Sequence, residues 1–366
     1  MTMIRPFCGI HPAPSLAAAI AALPYDVYHR AEATEIVQKN PYSFLKIDRA
    51  ETQFPPDTDM YSEEVYCRAR DTFHAMLSDG SFVQDDTQCF YLYALTMENR
   101  TQTGIVGCAS IDDYLNSTIR KHENTRAEKE LDRIRHIDTL NAQTGPIFLA
   151  YRRNPELHQI IRQYKCTHPL FDFVSEDGIR HQIWKIADKN ESFNYFLSVL
   201  FPADELKIYD YNRIVEDRNG YSTNELLAAL QKDFHITENK CAVSKGSFSM
   251  YCDGIWYQLT AKQHLYTSDP VNDLDVSILQ NAILQPLLGI EDPKTDSRIQ
   301  FVGGIYGLKK LIQLVDEKPE RLAFAMHPTS MDELFTVADA NRLMPPKSTW
   351  FEPKLRSGLF IHKIEN

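Results

Sequence analysis

The sequence predicts an α+β fold, with mixed sheets and interleaved helices. Three observations predict it. First, strand-like apolar runs and helix-like periodic runs alternate along all 366 residues, with no internal repeat. Second, paired apolar runs flank short polar turns. CFYLYAL and TGIVGCASI flank ENRTQ, and SFSMY and IWYQL flank Cys252-Asp253-Gly254. Such pairs signal hairpins and antiparallel pairing. Third, strand-to-helix steps such as RIQFVGG into IYGLKKLIQLV are scattered. They do not form the regular β-α-β alternation of a doubly wound sheet.

Taken in order, a helix is expected from Ala31 to Lys39, stopped by Asn40-Pro41. SFLKI (Ser43 to Ile47) reads as a strand. A longer helix fits Ser62 to Leu77, with Tyr66, Ala69, Phe73, Met76 and Leu77 on one face. After the first hairpin, Thr125 and Glu128 make a T-x-x-E capping box, so a helix starts near Arg126. Leu131, Ile134, Ile137 and Leu140 recur on it at helical spacing, which places its charges on a solvated face. Gly145-Pro146 ends this helix and PIFLAY follows as a strand. Two strands flank the turn SEDG, and FNYFLSVLF reads as a buried central strand. LKIYDYNRIV reads as one further strand, and STNELLAALQKDF as an amphipathic helix. RLAFAMHP then leads into the helix SMDELFTVADAN. The tail MPPKSTWFEPKLRSGLFIHKI holds too many prolines for a continuous helix. Three consecutive regions are expected: an N-terminal α+β region 1–118, a core 119–205 and a C-terminal α+β region 206–366.

Composition bounds the function. Hydrophobic residues make up 43% and charged ones 24%, the balance of a soluble globular protein. The formal net charge is −11, which argues against a general nucleic-acid coat. The seven cysteines include no C-x-x-C pair, so buried free thiols in a reducing compartment are expected, without a zinc site. SLAAAIAAL, from Ser15 to Leu23, is too short to span a bilayer, and no other run approaches that length. A cytoplasmic protein without membrane attachment is expected. His11, His29, His74, His158 and His168 show no metal-ligand spacing, and no G-x-S-x-G is present.

Four stretches could carry chemistry. KHENT lies just before a helix start, where free N–H groups and a partial positive charge favour phosphate. Glu123 there could act as a general base, with His122, Thr125 and Arg126 orienting or neutralising, and Arg133 and His136 lie further along the helix. A solvated loop is the plainer alternative. FVGGIYGLKK could cradle a phosphate, although tight strand-to-helix packing is the commoner cause of paired glycines. PPKSTWFEPKLR offers Lys347, Ser348 and Thr349 to an anion and Trp350 to a base, against the alternative of a stiffened tail. In PYDVY, Asp26 marks a turn and could instead join an amine or metal site.

Several stretches together resemble one large microbial family. They are PYDV, NPYSFL, QTGIVGCASIDDYL, KHENT…DR, HIDTLNAQTGPIFLAYR, NYFLSVLFP and MPPKSTWFEPKLRSGL. On these the chain is identified as a member of the domain-of-unknown-function 1015 family, which in turn resembles free serine kinases. The resemblance implies a ParB/sulfiredoxin-like core plus additional α+β regions. It implies a kinase that moves a phosphoryl group from ADP or ATP, with Mg²⁺, to free L-serine. Those kinases pair a His-Glu, whose glutamate is the general base, with a later Asp-Gly-His-His-Arg that holds the nucleotide phosphates. His122-Glu123 matches the first element. The second is absent: Asp188 is followed by Lys189, Asn190, Glu191 and Ser192, and the next strand begins. Either a segment of several dozen residues is omitted there, which is the reading we expect, or the protein lacks it. The resemblance thus implies Glu123 and His122 as catalytic residues. Arg126, Thr125, Arg133, His136, Asp26, Lys347, Ser348 and Thr349 are the candidates for substrate or phosphate binding. A non-catalytic nucleotide-binding regulator of ParB-like type, or a scaffold that has lost its phosphate site, is the alternative. A homodimer is compatible with each.

Overall fold

The structure is a computed structural model and describes residues 3–123, 127–187 and 195–364. Contacts divide the chain into two compact units that interleave in sequence. Unit 1 holds Met1–Ile119, Thr125–Leu206 and Pro353–Asn366, and unit 2 holds Arg120–Asn124 and Lys207–Glu352. The chain re-enters each unit, so a division into consecutive regions at 118/119 and 205/206 describes it differently. The architecture is α+β, with mixed sheets and interleaved helices.

Unit 1 is organised by a seven-stranded sheet. Its order is Ile147–Tyr151, Tyr195–Pro202, Arg100–Ser110, Cys89–Met97, Arg180–Ala187, Phe171–Val174, with Ile4–Arg5 also pairing to Arg100–Ser110. Only the pair Ile147–Tyr151 with Tyr195–Pro202 is parallel. Within FNYFLSVLF the strand Tyr195–Pro202 is interior, as its apolar run implies, and Phe196 to Pro202 are buried. The ENRTQ hairpin turns on two residues, with Met97 opposite Arg100 and Glu98 at φ 54. That backbone suits the primed turns of tight hairpins. A second core lies among Ile10, Ile20, Phe44, Ile47, Phe73 and Phe82.

Unit 2 is organised by a six-stranded, wholly antiparallel sheet. Its order is Phe234–Glu238, Ile255–Ala261, Ser247–Cys252, Leu322–Ala325, Tyr211–Val215, Ile299–Gly303. Strand alternation sends Val215 and Ile214 to opposite faces. Val215 joins a core with Leu226, Leu230, Ile278 and Val337, whereas Ile214 joins Leu311 and Val315 of the helix Gly307–Asp316. Helices therefore cover both faces. The Asp253-Gly254 hairpin forms with φ of 49° and 79°, the left-handed pair that Asp-Gly favours.

Three expected elements differ. SFLKI is not a strand; Leu45–Asp48 is a helical turn. Phe44, Leu45 and Ile47 are all buried, so neither period appears in the sequence. LKIYDYNRIV is two strands in two sheets. Ile208–Tyr209 pairs with Trp350–Phe351, and Tyr211–Val215 joins the large sheet. The break falls at Asp210, whose carbonyl accepts from Gly304 N at 2.7 Å. The helix after KHENT runs Ala127–Leu140, with only the Leu140 end of its expected apolar stripe buried. Leu131 and Ile134 are 62% and 48% exposed, while Asp132 and His136 are buried. The capping-box residue Thr125 and the expected start at Arg126 lie outside the described residues. All seven cysteines are free; Cys89, Cys108 and Cys252 are buried and Cys166 is exposed. Among the described residues no helix is long and apolar enough to cross a membrane.

Candidate functional site

In unit 2 the loop carrying His122 and Glu123 is stitched to the segment that carries Lys347, Ser348 and Thr349. One anchor runs to the helix before that segment and one to the segment itself. The Arg120 guanidinium donates to the Asp339 carboxylate at 2.5 Å and to the Ala338 carbonyl at 3.2 Å, at the C-terminus of the helix Met331–Asp339. A cation suits the partial negative charge there. That helix begins in a capping box made by Ser330 and Glu333. The second anchor is a main-chain bond: Met344 N donates to the His122 carbonyl at 2.7 Å. Both bonds use groups other than the side chains of His122 and Glu123, which remain exposed. Although its ring meets solvent, the atoms around the loop lower the His122 pKa by desolvation, against the raising charge of Glu123.

The facing segment begins at Met344. Lys347 adopts φ 56°, and its ammonium lies 5.8 Å from the Tyr211 ring. Ser348 is buried, with its hydroxyl donating to the Pro345 carbonyl and its own carbonyl accepting from Thr329 Oγ1 at 3.1 Å. Thr349 is half-buried. Trp350 packs edge-on against Tyr211 at 4.9 Å between centroids and donates Nε1–H to Glu352 at 2.8 Å. Beneath the turn lies Arg213, on the strand Tyr211–Val215 and 3% exposed. It donates to the Tyr211 carbonyl and, at 3.0 Å, to the Lys347 carbonyl. Burial pushes its pKa down to about 10, so it stays cationic at neutral pH.

The paired glycines of FVGGIYGLKK serve packing. A Cβ on Gly303 would fall 2.8 Å from the Trp350 ring, and one on Gly304 would overlap the Asp210 carboxylate. That carboxylate would also repel a phosphate at Gly304.

The other expected site residues lie in unit 1. Asp26 is exposed in a turn closed by Val27 N to Pro24 O at 3.0 Å. Next to it, Tyr25 stacks under the Arg133 guanidinium at 4.0 Å. Arg133 pairs with Asp132 at 2.9 Å and with Asp48 at 3.8 Å. Tyr66 donates to Asp132 at 2.8 Å. His136 Nε2 lies 3.1 Å from the Ile47 carbonyl and so carries the proton in the neutral ring. Its pKa is lowered, by desolvation first and by Arg133 next, with Asp48 opposing. These groups line a cavity of about 20 Å³, room for a single water. Arg133 and His136 are thus bound into a buried network that ties their helix to Ile47–Glu51 and Glu63–Ser78. The burial of Asp132 and His136 has this cause. Thr125 and Arg126 lie outside the described residues. Sequence reasoning missed Arg213, whose one signal is a charge inside the apolar strand run YNRIV.

The family described as "Protein of unknown function (DUF1015)" matches residues 4–192 and 187–277. The chain belongs to this family. The two matched stretches meet at 187–192, where the Asp-Gly-His-His-Arg element was expected. No curated protein matches the sequence. Several solved structures are similar in part. A free serine kinase variant in complex with AMP is 12% identical, covering 66% of this chain and 88% of that one, at TM-score 0.35. A conserved hypothetical protein from Pyrococcus furiosus is 13% identical over 65% and 89%, at TM-score 0.32. SbnI with C-terminal truncation, from Staphylococcus aureus, is 9% identical over 70% and 87%, at TM-score 0.41.

Proposed function

We propose that this family member is a small-molecule kinase whose acceptor is free L-serine and whose general base is Glu123. The observation that carries the reading is the 2.7 Å bond from Met344 N to the His122 carbonyl. It ties the main chain beside Glu123 to the start of the segment that carries Lys347 and Thr349, and Glu123 itself is exposed. The resemblance of His122-Glu123 to the His-Glu of free serine kinases supports the same assignment.

In this reaction Glu123 takes the proton of the serine hydroxyl. The serine oxygen forms a bond to the terminal phosphorus as the bridging P–O bond breaks, and AMP leaves from ADP, or ADP from ATP. Phosphoryl transfer asks for positioning and charge neutralisation more than for covalent chemistry, so few well-placed groups suffice. Lys347 contributes positive charge and Thr349 a hydroxyl. Among the described residues no three His, Cys, Asp or Glu are arranged to hold a metal. An Mg²⁺ ion would take its ligands from nucleotide phosphates and water. Mg²⁺ bound in this way supplies charge neutralisation on the phosphates.

The test is to incubate the full chain with L-serine, Mg²⁺ and either ADP or ATP and to look for phosphoserine. Absence of product with both nucleotides would overturn the reading. One observation favours a second reading, a nucleotide-binding regulator without turnover: the phosphate-binding Asp-Gly-His-His-Arg is absent from the sequence. Calorimetry separates the two, because nucleotide binding without phosphoserine is the regulator's signature.

A further inference from the structure

Four arginines are buried among the described residues: Arg49, Arg213, Arg321 and Arg356. Three of them meet acids. Arg49 pairs with Glu51 at 2.6 Å, Arg321 with Glu216 at 2.8 Å and Glu317 at 3.2 Å, and Arg356 with Asp177. Arg213 meets only carbonyls and rings. Its two donated bonds go to the Tyr211 and Lys347 carbonyls, and its guanidinium lies 5.6 Å from the centroid of Phe301. The two acids nearest in sequence are engaged elsewhere, Asp210 by the Asn212 amide at 2.6 Å and Glu216 by Arg321 at 2.8 Å.

A buried charge without a counter-charge is costly, and two neutral carbonyls offset only part of that cost. The cation is not isolated in place. It sits under the turn whose surface carries the Lys347 ammonium, so two positive charges bracket one short segment. A left-handed residue such as Lys347, at φ 56°, is the kind of bend that gathers successive N–H groups toward an anion. The arrangement is neutralised when a ligand brings negative charge to the turn.

We propose that Arg213 is the buried counter-charge for a phosphate group bound on the Lys347–Thr349 turn. It would do there what the arginine of the absent Asp-Gly-His-His-Arg element does in the resembling kinases. The inference builds on the phosphotransfer reading, but its test needs no serine and no turnover.

The test is calorimetry of the full chain with sodium pyrophosphate at constant ionic strength. The wild type binds, Arg213→Gln binds at least tenfold more weakly, and Arg213→Lys falls between them. Lys347→Ala weakens binding severalfold, whereas Lys232→Ala, an exposed lysine elsewhere in unit 2, changes it less than twofold. Circular dichroism and a melting curve establish that each variant is folded. If Arg213→Gln does not fold, wild-type protein labelled with ¹⁵N-arginine supplies the reading. A slowly exchanging Nε–H signal, as a buried guanidinium gives, shifts on pyrophosphate titration. A wild type that does not bind, a folded Arg213→Gln that binds normally, or an unmoved Nε–H signal overturns the inference. Arginine-dependent pyrophosphate binding in a protein that makes no phosphoserine would uphold it and reject serine phosphorylation alone.

Discussion

Arg133 in unit 1 and Arg213 in unit 2 solve the same problem in opposite ways. Arg133 is flanked by two carboxylates, Asp132 and Asp48, and capped by the Tyr25 ring. Its charge is used up inside the fold. Arg213 has only carbonyls and rings around it, so its charge remains available. By this comparison the charges of unit 1 are spent on structure, and the proposed chemistry falls to unit 2, although the sequence offers charged candidates in both.

The largest expected effect strikes the chemical side. Glu123→Gln should lower kcat for phosphoserine formation by about 10²- to 10⁴-fold, the usual worth of a general base, with the thermal midpoint unchanged. Stability losses belong to unit 1. Leu140→Ala, at a buried position on the helix Ala127–Leu140, should cost about 3 kcal/mol in a denaturant titration. Asp132→Ala should cost about 2 kcal/mol. It strands Tyr66 and Arg133, and the loss stays below that of a fully buried pair because Arg133 keeps some solvent. Neither substitution should alter pyrophosphate affinity. A change in affinity comparable to that of Lys347→Ala would break the comparison.

The pH response should sharpen it. In unit 1, His181 is fully buried between Tyr93 and Ser175, and burial, with Arg356, holds its pKa down to about 3. The unfolded chain takes up this proton near pH 6.5, whereas the folded chain does so only near pH 3. Stability is therefore full above pH 6.5 and falls as pH drops toward 3, by about 1 kcal/mol at pH 5.5. His136, also lowered, acts with the same sign. Replacing His181 by Gln should flatten the slope of stability against pH between 6.5 and 4. The smallest effect is expected at Leu131. Leu131→Ala should change stability by no more than about 0.5 kcal/mol, because that side of the helix faces solvent.

Legibility followed local chemistry. The Asp253-Gly254 hairpin was readable because a two-residue turn with both φ positive has few sequence solutions. The Phe196–Pro202 strand was readable because interior strands are apolar on both sides. The turn Leu45–Asp48 was not, since burial on all sides erases the period that separates helix from strand. The helix Ala127–Leu140 misled for a different reason. Its apolar residues do repeat at helical spacing, but polar partners contributed from Ile47, Asp48 and Tyr66 hold the opposite face. No local pattern reports partners so distant in sequence. His122-Glu123 stood out by its place before a helix start and took its proposed role from the family resemblance, and Lys347 stood out in a short run of lysine and hydroxyl residues. Arg213 looked like one charge at a strand position, and only its burial without an acid marks it.

Hydrogen exchange of the full chain with and without Mg²⁺–ADP, read by mass spectrometry, tests the central claim most directly. New protection is expected in 344–351 and 211–215, with none in 132–140. Protection confined to 132–140 and 25–49, with 344–351 unchanged, would contradict it.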